Sequence, residues 1–197
     1  MKKKNHLIII SAPSGAGKTT LSKKLLEDFA WIKQSISSTT RAPRGSEQNG
    51  VDYFFLDHST FEEEIRKGGF AEWAKVHGHY YGTSKSVIEE ALRSHYSLLL
   101  VIDVQGAKQL REAFNKDCFT IFIAPPSLET LEERLKARGT DSETVIQKRL
   151  LNAKTEMSES QNFDAIIVND SLEQAYTELK NVLKKRLHLQ PKETLES

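Results

Sequence analysis

Cysteine is almost absent from the 197-residue sequence, which contains Cys118 alone. One cysteine can form neither an internal disulfide nor a thiolate metal site, and its apolar neighbours predict a buried strand thiol rather than a nucleophile. Long apolar runs are also missing, because residues 98–102 form one of the longest and a membrane span needs about 20 residues. These absences predict a protein of the reducing cytoplasm with no membrane partner.

The sequence has almost no net charge, because 28 Lys and Arg are balanced by 27 Asp and Glu. This balance argues against a broad basic surface for nucleic acid and against an acidic tail. It still allows a few positive side chains to be concentrated in one cleft. Apolar residues make up 38%, and with the glycines they approach the usual share of about 45–50%, so a packed core is expected.

Short apolar runs alternate with amphipathic segments of helical length, which is typical of an α/β fold with a parallel sheet. The unbroken apolar character of the runs indicates strands covered by helices on both faces. Strands are predicted at residues 7–11, 98–103, 119–124 and 165–169. Helices are predicted near residues 18–29, 105–114, 128–137, 142–158 and 172–187. Ser127 and Ser171 precede two of these helices and are expected to be their N-caps.

One region interrupts this alternation. Short aromatic pieces at residues 51–56 and 70–74, together with the turn-rich residues 44–50, predict a small antiparallel lobe inserted over residues 35–83. Residues 1–34 and 84–190 would then form the core. A lid is expected at about residues 125–155, and residues 191–197 form a polar tail.

A phosphate-binding loop follows the first predicted strand and precedes a helix. The pattern G-x-x-x-x-G-K-[ST] is met with alanine in place of its first glycine. Its glycines let backbone N–H groups turn toward phosphate oxygens, and the following helix directs its positive end at them. Lys18 is expected to reach the β- and γ-phosphates of ATP, and the hydroxyl of Thr19 to bind Mg²⁺. The predicted ATP-binding residues of this loop are Ala12, Pro13, Ser14, Gly15, Ala16, Gly17, Lys18, Thr19 and Thr20.

A phosphate loop does not by itself identify the reaction. A GTPase would need a guanine-reading N-K-x-D motif, and the nearest match, residues 115–118, ends in cysteine. Asp103 and Gly106 satisfy a D-x-x-G motif, but they lie far beyond Lys18, after the inserted lobe. A kinase of small substrates is therefore the favoured class.

Several motifs follow one another in the order found in guanylate kinases, which the sequence resembles over nearly its whole length. They occupy residues 37–44, 50–55, 70–74, 80–83, 102–106, 124–127, 138–140 and 168–170. The resemblance implies a P-loop NTPase three-layer α/β fold with a parallel core sheet, an inserted α+β lobe for GMP and a helical lid. It also implies Mg²⁺-dependent conversion of ATP and GMP to ADP and GDP, with dGMP tolerance left open.

Two arginines and two tyrosines are candidates for holding the phosphate of GMP. Arg41 and Arg44 lie three apart in a loop and can donate to a phosphate in pairs. Tyr53 and Tyr81 can add phenolic donors. The alternative is that the arginines are solvated surface charges.

Glu72 is the candidate reader of the base. In a strand it shares a face with Phe70 and Ala74, so it is expected to be partly buried. Guanine presents adjacent N1–H and N2–H donors that one carboxylate can accept together. Adenine lacks that pair, and the mismatch can discriminate by ~10⁴. The alternative is an edge-strand glutamate that faces water.

The resemblance adds further residues to the GMP site. Ser37, Gly82 and Thr83 complete the pocket, and Asp103 either holds a Mg²⁺ water or assists in guanine recognition. Family members often carry a second acidic residue two positions before this aspartate, whereas this chain has Val101. Asp103 must therefore act alone.

Phosphoryl transfer requires positioning and charge neutralisation, and it needs no general base here because the attacking group is already a phosphate oxygen. Arg134, Arg138 and Arg149 are the candidate lid residues, with Gly139 as a compliant joint. The alternative is that they form surface ion pairs with nearby glutamates. The resemblance places Arg138 and Asn169 near the adenine of ATP. The predicted catalytic residues are Lys18, Arg41, Arg138 and Arg149.

Two other functions remain to be compared with a GMP kinase. One is a guanylate-kinase-like protein-interaction domain that has lost catalysis, which the intact residues 17–19 oppose. The other is a kinase of AMP or UMP, which Glu72 and the set of arginines and tyrosines oppose. Neither requires nucleic acid as a partner.

Overall fold

A parallel sheet of five strands forms the core of the computed structural model, which describes residues 6–76, 78–137, 139 and 141–187. Its strands are β1 (Leu7–Ser11), β2 (Ile32–Gln34), β7 (Ser97–Val101), β8 (Cys118–Ala124) and β9 (Ala165–Val168). They are ordered β2-β7-β1-β8-β9, and every neighbouring pair is parallel. The four predicted strands are therefore confirmed. The short edge strand β2 was not predicted.

Helices cover both faces of this sheet, as the apolar runs predict. The core helices are α1 (Lys18–Asp28), α4 (Val104–Phe114), α5 (Leu128–Ala137), α6 (Glu143–Ser158) and α7 (Leu172–Arg186). Successive side chains of β1 point to opposite faces. Ile8 and Ile10 pack in the cluster with residues of α1 and α7. Leu7 and Ile9 pack in the second cluster with Leu110 of α4.

Of the two predicted N-cap residues, Ser127 forms a capping hydrogen bond and Ser171 does not. The hydroxyl oxygen of Ser127 accepts a hydrogen bond of 3.1 Å from the backbone N–H of Thr130, which confirms it as the cap of α5. Ser171 occupies the N-cap position of α7, as predicted, but its side chain makes no capping bond. Its hydroxyl donates to the Glu173 carboxylate at 3.4 Å instead.

The inserted region forms a second, smaller sheet with one helix of its own. Its elements are β3 (Ser38–Thr39), β4 (Phe54–Phe55), α2 (His58–Arg66), β5 (Phe70–Val76) and β6 (His79–Ser84), and α3 (Lys85–Arg93) leads back to the core, where Ile88 and Ala91 pack in the second cluster. The strand order is β4-β3-β6-β5. The resemblance implies an α+β lobe, but the positions of α2 and α3 were not predicted. The aromatic residues pack inside, where the ring of Phe61 stacks on Phe70 at 4.4 Å and on Tyr80 at 5.3 Å between centroids.

The expectation of a purely antiparallel lobe was wrong. β3 pairs with β6 and β5 with β6 in antiparallel fashion, but β3 and β4 run parallel. The loop of residues 40–53 crosses over and returns the chain in the same direction. It also contains turns, so the predicted strand at residues 51–56 is reduced to Phe54–Phe55. The lobe sheet is mixed.

The two sheets are joined where α4 packs on β5. The backbone N–H of Trp73 donates to Gln109 at 3.1 Å, and the Gln109 amide donates back to the Trp73 carbonyl at 2.8 Å. The carboxyl ends of β1 and β7 therefore face the lobe, and α/β folds bind ligands at such ends. Within the described residues, no helix combines the length and apolar character that crossing a bilayer requires. The predicted tail lies outside the described residues.

Candidate active site

A cavity of about 330 Å³ lies between the core sheet and the lobe. The phosphate loop forms one wall, and the lobe strands form the opposite wall. The end of β7 and helix α6 close the remaining sides. Many of the predicted site residues line this one space: Ala12, Pro13, Ser14, Gly15, Gly17, Lys18, Thr19, Thr20, Ser37, Tyr53, Glu72, Tyr81 and Asp103.

Two glycines shape the phosphate loop, and neither could be replaced without strain. Gly15 has a φ of 103° and Gly17 a φ of 95°, in the region that side chains rarely adopt. A Cβ on Gly15 would lie 2.9 Å from Leu131 Cδ1. A Cβ on Gly17 would collide with the Asn169 amide. The first position of the motif tolerates alanine because Ala12 is buried in the core cluster beside the strand.

Asn169 and Arg134 support the phosphate loop through hydrogen bonds to backbone carbonyls. The Asn169 side-chain amide donates to the Ala16 carbonyl at 2.7 Å. The Arg134 guanidinium donates to the carbonyls of Asn169 and Asp170 at 2.9 and 3.2 Å. Arg134 thus bonds to backbone carbonyls, and Asn169 bonds directly to the phosphate loop.

Lys18 lines the cavity, and its ammonium donates a hydrogen bond of 3.5 Å to the Ile102 carbonyl. Burial lowers the pKa of Lys18, and the carboxylates of Glu156 and Asp103 partly offset that effect. Glu156 also lines the cavity, and burial raises its pKa to about 7. Sequence analysis missed Glu156, although it lies seven residues after Arg149 and so on the same face of a helix.

Arg149 reaches the phosphate loop from α6. Its guanidinium donates to the Ser14 hydroxyl at 3.1 Å and to Asp141 at 3.2 Å, where it forms an ion pair. Two of the nearby glutamates, Glu132 and Glu143, form ion pairs with Lys136. Arg138, the other predicted lid residue, lies outside the described residues, and Gly139 has a φ of 64°.

Glu72 is buried, with 3% of its surface exposed. It shares its buried face with Ala74, as strand alternation predicts. The Thr83 hydroxyl donates to its carboxylate at 2.6 Å from the neighbouring strand. Burial raises the pKa of Glu72 to about 7, with Thr83 lowering it and Asp103 raising it. A carboxylate with so few donors around it favours a ligand that brings N–H groups.

Three of the four candidate phosphate ligands of the lobe, Arg41, Tyr53 and Tyr81, lie together. Arg41 is buried, and its guanidinium lies 5.4 Å from the centre of the Tyr53 ring. The Tyr53 and Tyr81 rings are 6.1 Å apart between centroids. Arg44 is exposed in the same loop. Burial is the main cause that raises the pKa of Tyr53, so its phenol stays protonated and able to donate.

Glu47 is a second residue that sequence analysis missed. It accepts from the Arg41 guanidinium at 2.9 Å and from the backbone N–H of Arg44 at 2.8 Å. It lies in a polar turn with no hydrophobic periodicity. Its spacing of three residues from Arg44 was the one available signal.

Asp103 and Gly82, two of the predicted GMP-site residues, also have structural roles. Asp103 caps α4 by accepting from the Gly106 N–H at 2.9 Å, while its carboxylate also lines the cavity. Gly82 packs inside the lobe, where a Cβ would lie 3.0 Å from both Phe61 and Phe70. The close packing of those rings explains the glycine there.

Comparisons with known proteins point to one family. The sequence profile described as guanylate kinase matches residues 4–186. A guanylate kinase of Geobacter metallireducens is 48% identical over 183 residues, which cover 93% of this chain and 90% of its own. One of Prochlorococcus marinus is 49% identical and covers 91% and 97% of the two chains. The crystal structure of guanylate kinase from Anaplasma phagocytophilum has a TM-score of 0.79 at 33% identity, covering 96% and 89%.

Proposed function

The chain belongs to the guanylate kinase family and transfers a phosphoryl group from ATP to GMP, and we propose that the cavity between its two sheets holds both nucleotides. The observation that carries this proposal is the lining of one cavity by both Lys18 and Glu72. A phosphate loop and a buried carboxylate that suits guanine thus face the same space. Nothing among the related proteins favours a domain without catalysis, and the intact phosphate loop supports an enzyme.

Three parts of the chain have separate roles: an ATP-binding core, a GMP lobe and a lid. Residues up to 34 and from 84 to 190 form the ATP-binding core, and residues 35–83 form the GMP lobe. Residues 125–155, which include α5 and α6, act as the lid. The separate sheets of core and lobe support this division, and Arg149 supports the lid because it reaches Ser14 from α6.

On the ATP side, the phosphate loop supplies backbone N–H groups and Lys18 supplies a charge. Arg149 lies close enough to Ser14 to share the same phosphates. The Asn169 amide donates to the Ala16 carbonyl, and Arg134 donates to the Asn169 carbonyl. These bonds stabilise the conformation of the loop beside the nucleotide.

On the GMP side, Glu72 accepts the N1–H and N2–H groups of guanine, and Thr83 holds its carboxylate. Arg41, Arg44, Tyr53 and Tyr81 donate to the phosphate. Ser37 lines the same cavity and can add a hydroxyl. Because burial, together with Asp103, raises the pKa of Glu72, the N–H donors of guanine would stabilise a carboxylate that is otherwise unfavourable.

The residues present suit a magnesium ion. Thr19, Asp103 and Glu156 bring oxygen donors to the cavity, and Mg²⁺ prefers oxygen ligands. Among the described residues no group of three or more His, Cys, Asp or Glu forms a metal cage. This fits an ion held by substrate phosphates and one or two protein groups. Thr19 would hold it directly and Asp103 through water, and when bound it neutralises charge on the phosphates.

The chemistry that remains for the protein is positioning and charge neutralisation. Arg41 and Arg44 hold the GMP phosphate with its oxygen facing the phosphate loop. Lys18 and Arg149 offset the negative charge of the phosphoryl group during transfer, and Arg138 is proposed to join them. Because the attacking oxygen belongs to a phosphate, no side chain has to remove a proton.

A cytoplasmic location is part of the same proposal. Cys118 is buried in β8, and burial raises its pKa to about 12. The thiol therefore stays protonated and unreactive, as suits a reducing compartment.

A coupled assay of ADP formation tests the function. With Mg²⁺ and ATP, the protein is expected to turn over GMP at least ~10³-fold more efficiently than AMP, CMP or UMP, because a missing donor pair leaves Glu72 unpaired. Comparable efficiency with AMP would contradict the guanine assignment. Inactivity with every monophosphate would favour the interaction domain.

The affinity for GMP is expected to depend on the ionisation of Glu72. Its raised pKa of about 7 means that the acceptor carboxylate forms only as pH rises through neutrality. The KM for GMP should therefore fall by about tenfold between pH 6 and pH 8. Initial rates at saturating Mg-ATP measure this.

Glu72→Gln provides the control for the pH profile. The GMP phosphate itself titrates near pH 6, and that contribution remains in the variant while the carboxyl contribution disappears. Identical KM profiles for wild type and variant would show that Glu72 does not bind the base in its ionised form.

A further inference from the structure

We infer that Glu47 is a positioning residue for the phosphate of GMP, acting through Arg41 and Arg44. This inference rests on the proposed function, since it assumes that the two arginines hold that phosphate. Glu47 lies in the loop between β3 and β4, outside the cavity lining. Its role follows from the bonds it makes within that loop.

Both carboxylate oxygens of Glu47 are engaged. Oε1 accepts from Nη2 of Arg41 at 2.9 Å, and Oε2 accepts from the backbone N–H of Arg44 at 2.8 Å. The backbone N–H of Glu47 donates in turn to the Arg44 carbonyl at 3.0 Å. One side chain therefore fixes the guanidinium of the first arginine and the backbone of the second.

The Arg41 guanidinium is held on more than one side. Its Nη1 donates to the Ala42 carbonyl at 2.7 Å, and the Tyr53 ring lies 5.4 Å away. A guanidinium has five N–H donors, and Glu47 and Ala42 use two of them in these bonds. Others are left for a phosphate, in a direction set by the two that are engaged.

The charges are consistent with a permanent ion pair. Only 7% of the Arg41 side chain is exposed, against 24% of the Glu47 side chain. The hydrogen bond with Glu47 is the main cause that raises the pKa of Arg41. The reciprocal bond is the main cause that lowers the pKa of Glu47. Glu47 therefore stays ionised at neutral pH and provides the buried guanidinium with a counterion.

Two effects of opposite sign follow from removing Glu47. The loss of a negative charge would favour the phosphate dianion, whereas the loss of two hydrogen bonds would release both arginines. Glu47 is partly solvated, so its charge is screened. The geometry of a two-point arginine contact depends strongly on orientation. The positioning effect is therefore the larger one.

Kinetics of the full-length protein with Glu47→Ala and Glu47→Gln test the inference. The alanine variant is expected to raise the KM for GMP by about 10- to 30-fold, as expected for losing hydrogen bonds to a charged group. The kcat should change by less than about threefold and the KM for ATP should stay the same, since GMP binding is weakened equally in the ground state and the transition state. Glutamine keeps one acceptor, so its KM should rise by only about threefold.

Glu62→Ala is the matched control, because Glu62 is an exposed carboxylate on α2 of the same lobe, and it should behave as wild type. A KM for GMP that stays unchanged or falls in Glu47→Ala would overturn the inference. Equal losses in kcat and in ATP affinity would do so as well, because they indicate general disruption. If the alanine variant does not fold, a glutamine variant with wild-type or lower KM overturns it. A wild type inactive with GMP would refute the proposed function itself and this inference with it.

Discussion

Replacing Lys18 with alanine is expected to lower kcat for GMP phosphorylation by about 10³-fold, with less than about threefold change in the KM for GMP. Lys18 lines the cavity and bonds to the Ile102 carbonyl just past the end of β7. Its charge matters most when negative charge shifts onto the transferred group, so its loss acts on the transition state. The carboxylates of Glu156 and Asp103, which now face an ammonium, would also repel the phosphates.

Lys23→Ala is the matched control for this prediction. Lys23 is an exposed lysine on the same helix α1, and its removal makes the same change in net charge. Steady-state kinetics of both variants, with thermal denaturation to check folding, separate a catalytic role from a structural one. A Lys18→Ala variant that keeps more than about a tenth of kcat would show that the phosphate loop works without this charge.

Replacing Glu72 with glutamine is expected to lower the ratio of kcat/KM for GMP to that for AMP by about 10²- to 10³-fold. A glutamine oxygen can accept one of the two guanine donors, but its amide group then meets the other N–H. The same amide matches adenine, because it can donate to N1 while its oxygen accepts from the 6-amino group. The variant should therefore lose GMP activity and gain AMP activity.

Glu62→Gln serves as the control, since it makes the same chemical change at an exposed position of the same lobe. Competition between GMP and AMP in one reaction mixture measures the ratio directly. If Glu72→Gln left the discrimination unchanged, the guanine would have to be recognised elsewhere. A loss of activity with both substrates alike would point to a folding role for the buried carboxylate.

Local patterns predicted the core of the fold well. The strand, phosphate loop and helix over residues 7–28 combine an apolar run, two glycines and an amphipathic segment, each visible without tertiary information. β2 has only three residues and one buried side chain, too little for a pattern. α2 has only two apolar residues, Phe61 and Ile65, too few to predict a helix beside the aromatic strand-like pieces. The parallel pairing of β3 with β4 depends on the course of the intervening loop, which composition does not reveal.

Residues of the candidate site could be predicted where a single strand or motif identifies them. Strand alternation predicted that Glu72 is buried, and the loop motif located Lys18. Glu156 and Glu47 were missed because their importance arises from contacts between distant segments or across a turn. The role of Asn169 in fastening the phosphate loop is of the same kind, since its partner Ala16 lies 153 residues away.

A crystal structure of the protein with bound GMP is the decisive experiment. Guanine N1 and N2 should each lie about 3 Å from a carboxylate oxygen of Glu72, at hydrogen-bond distance. The phosphate should lie against Arg41, Arg44, Tyr53 and Tyr81, with Glu47 still bound to Arg41. A guanine placed away from Glu72, or a phosphate that does not contact the two arginines, would contradict this mode of GMP binding.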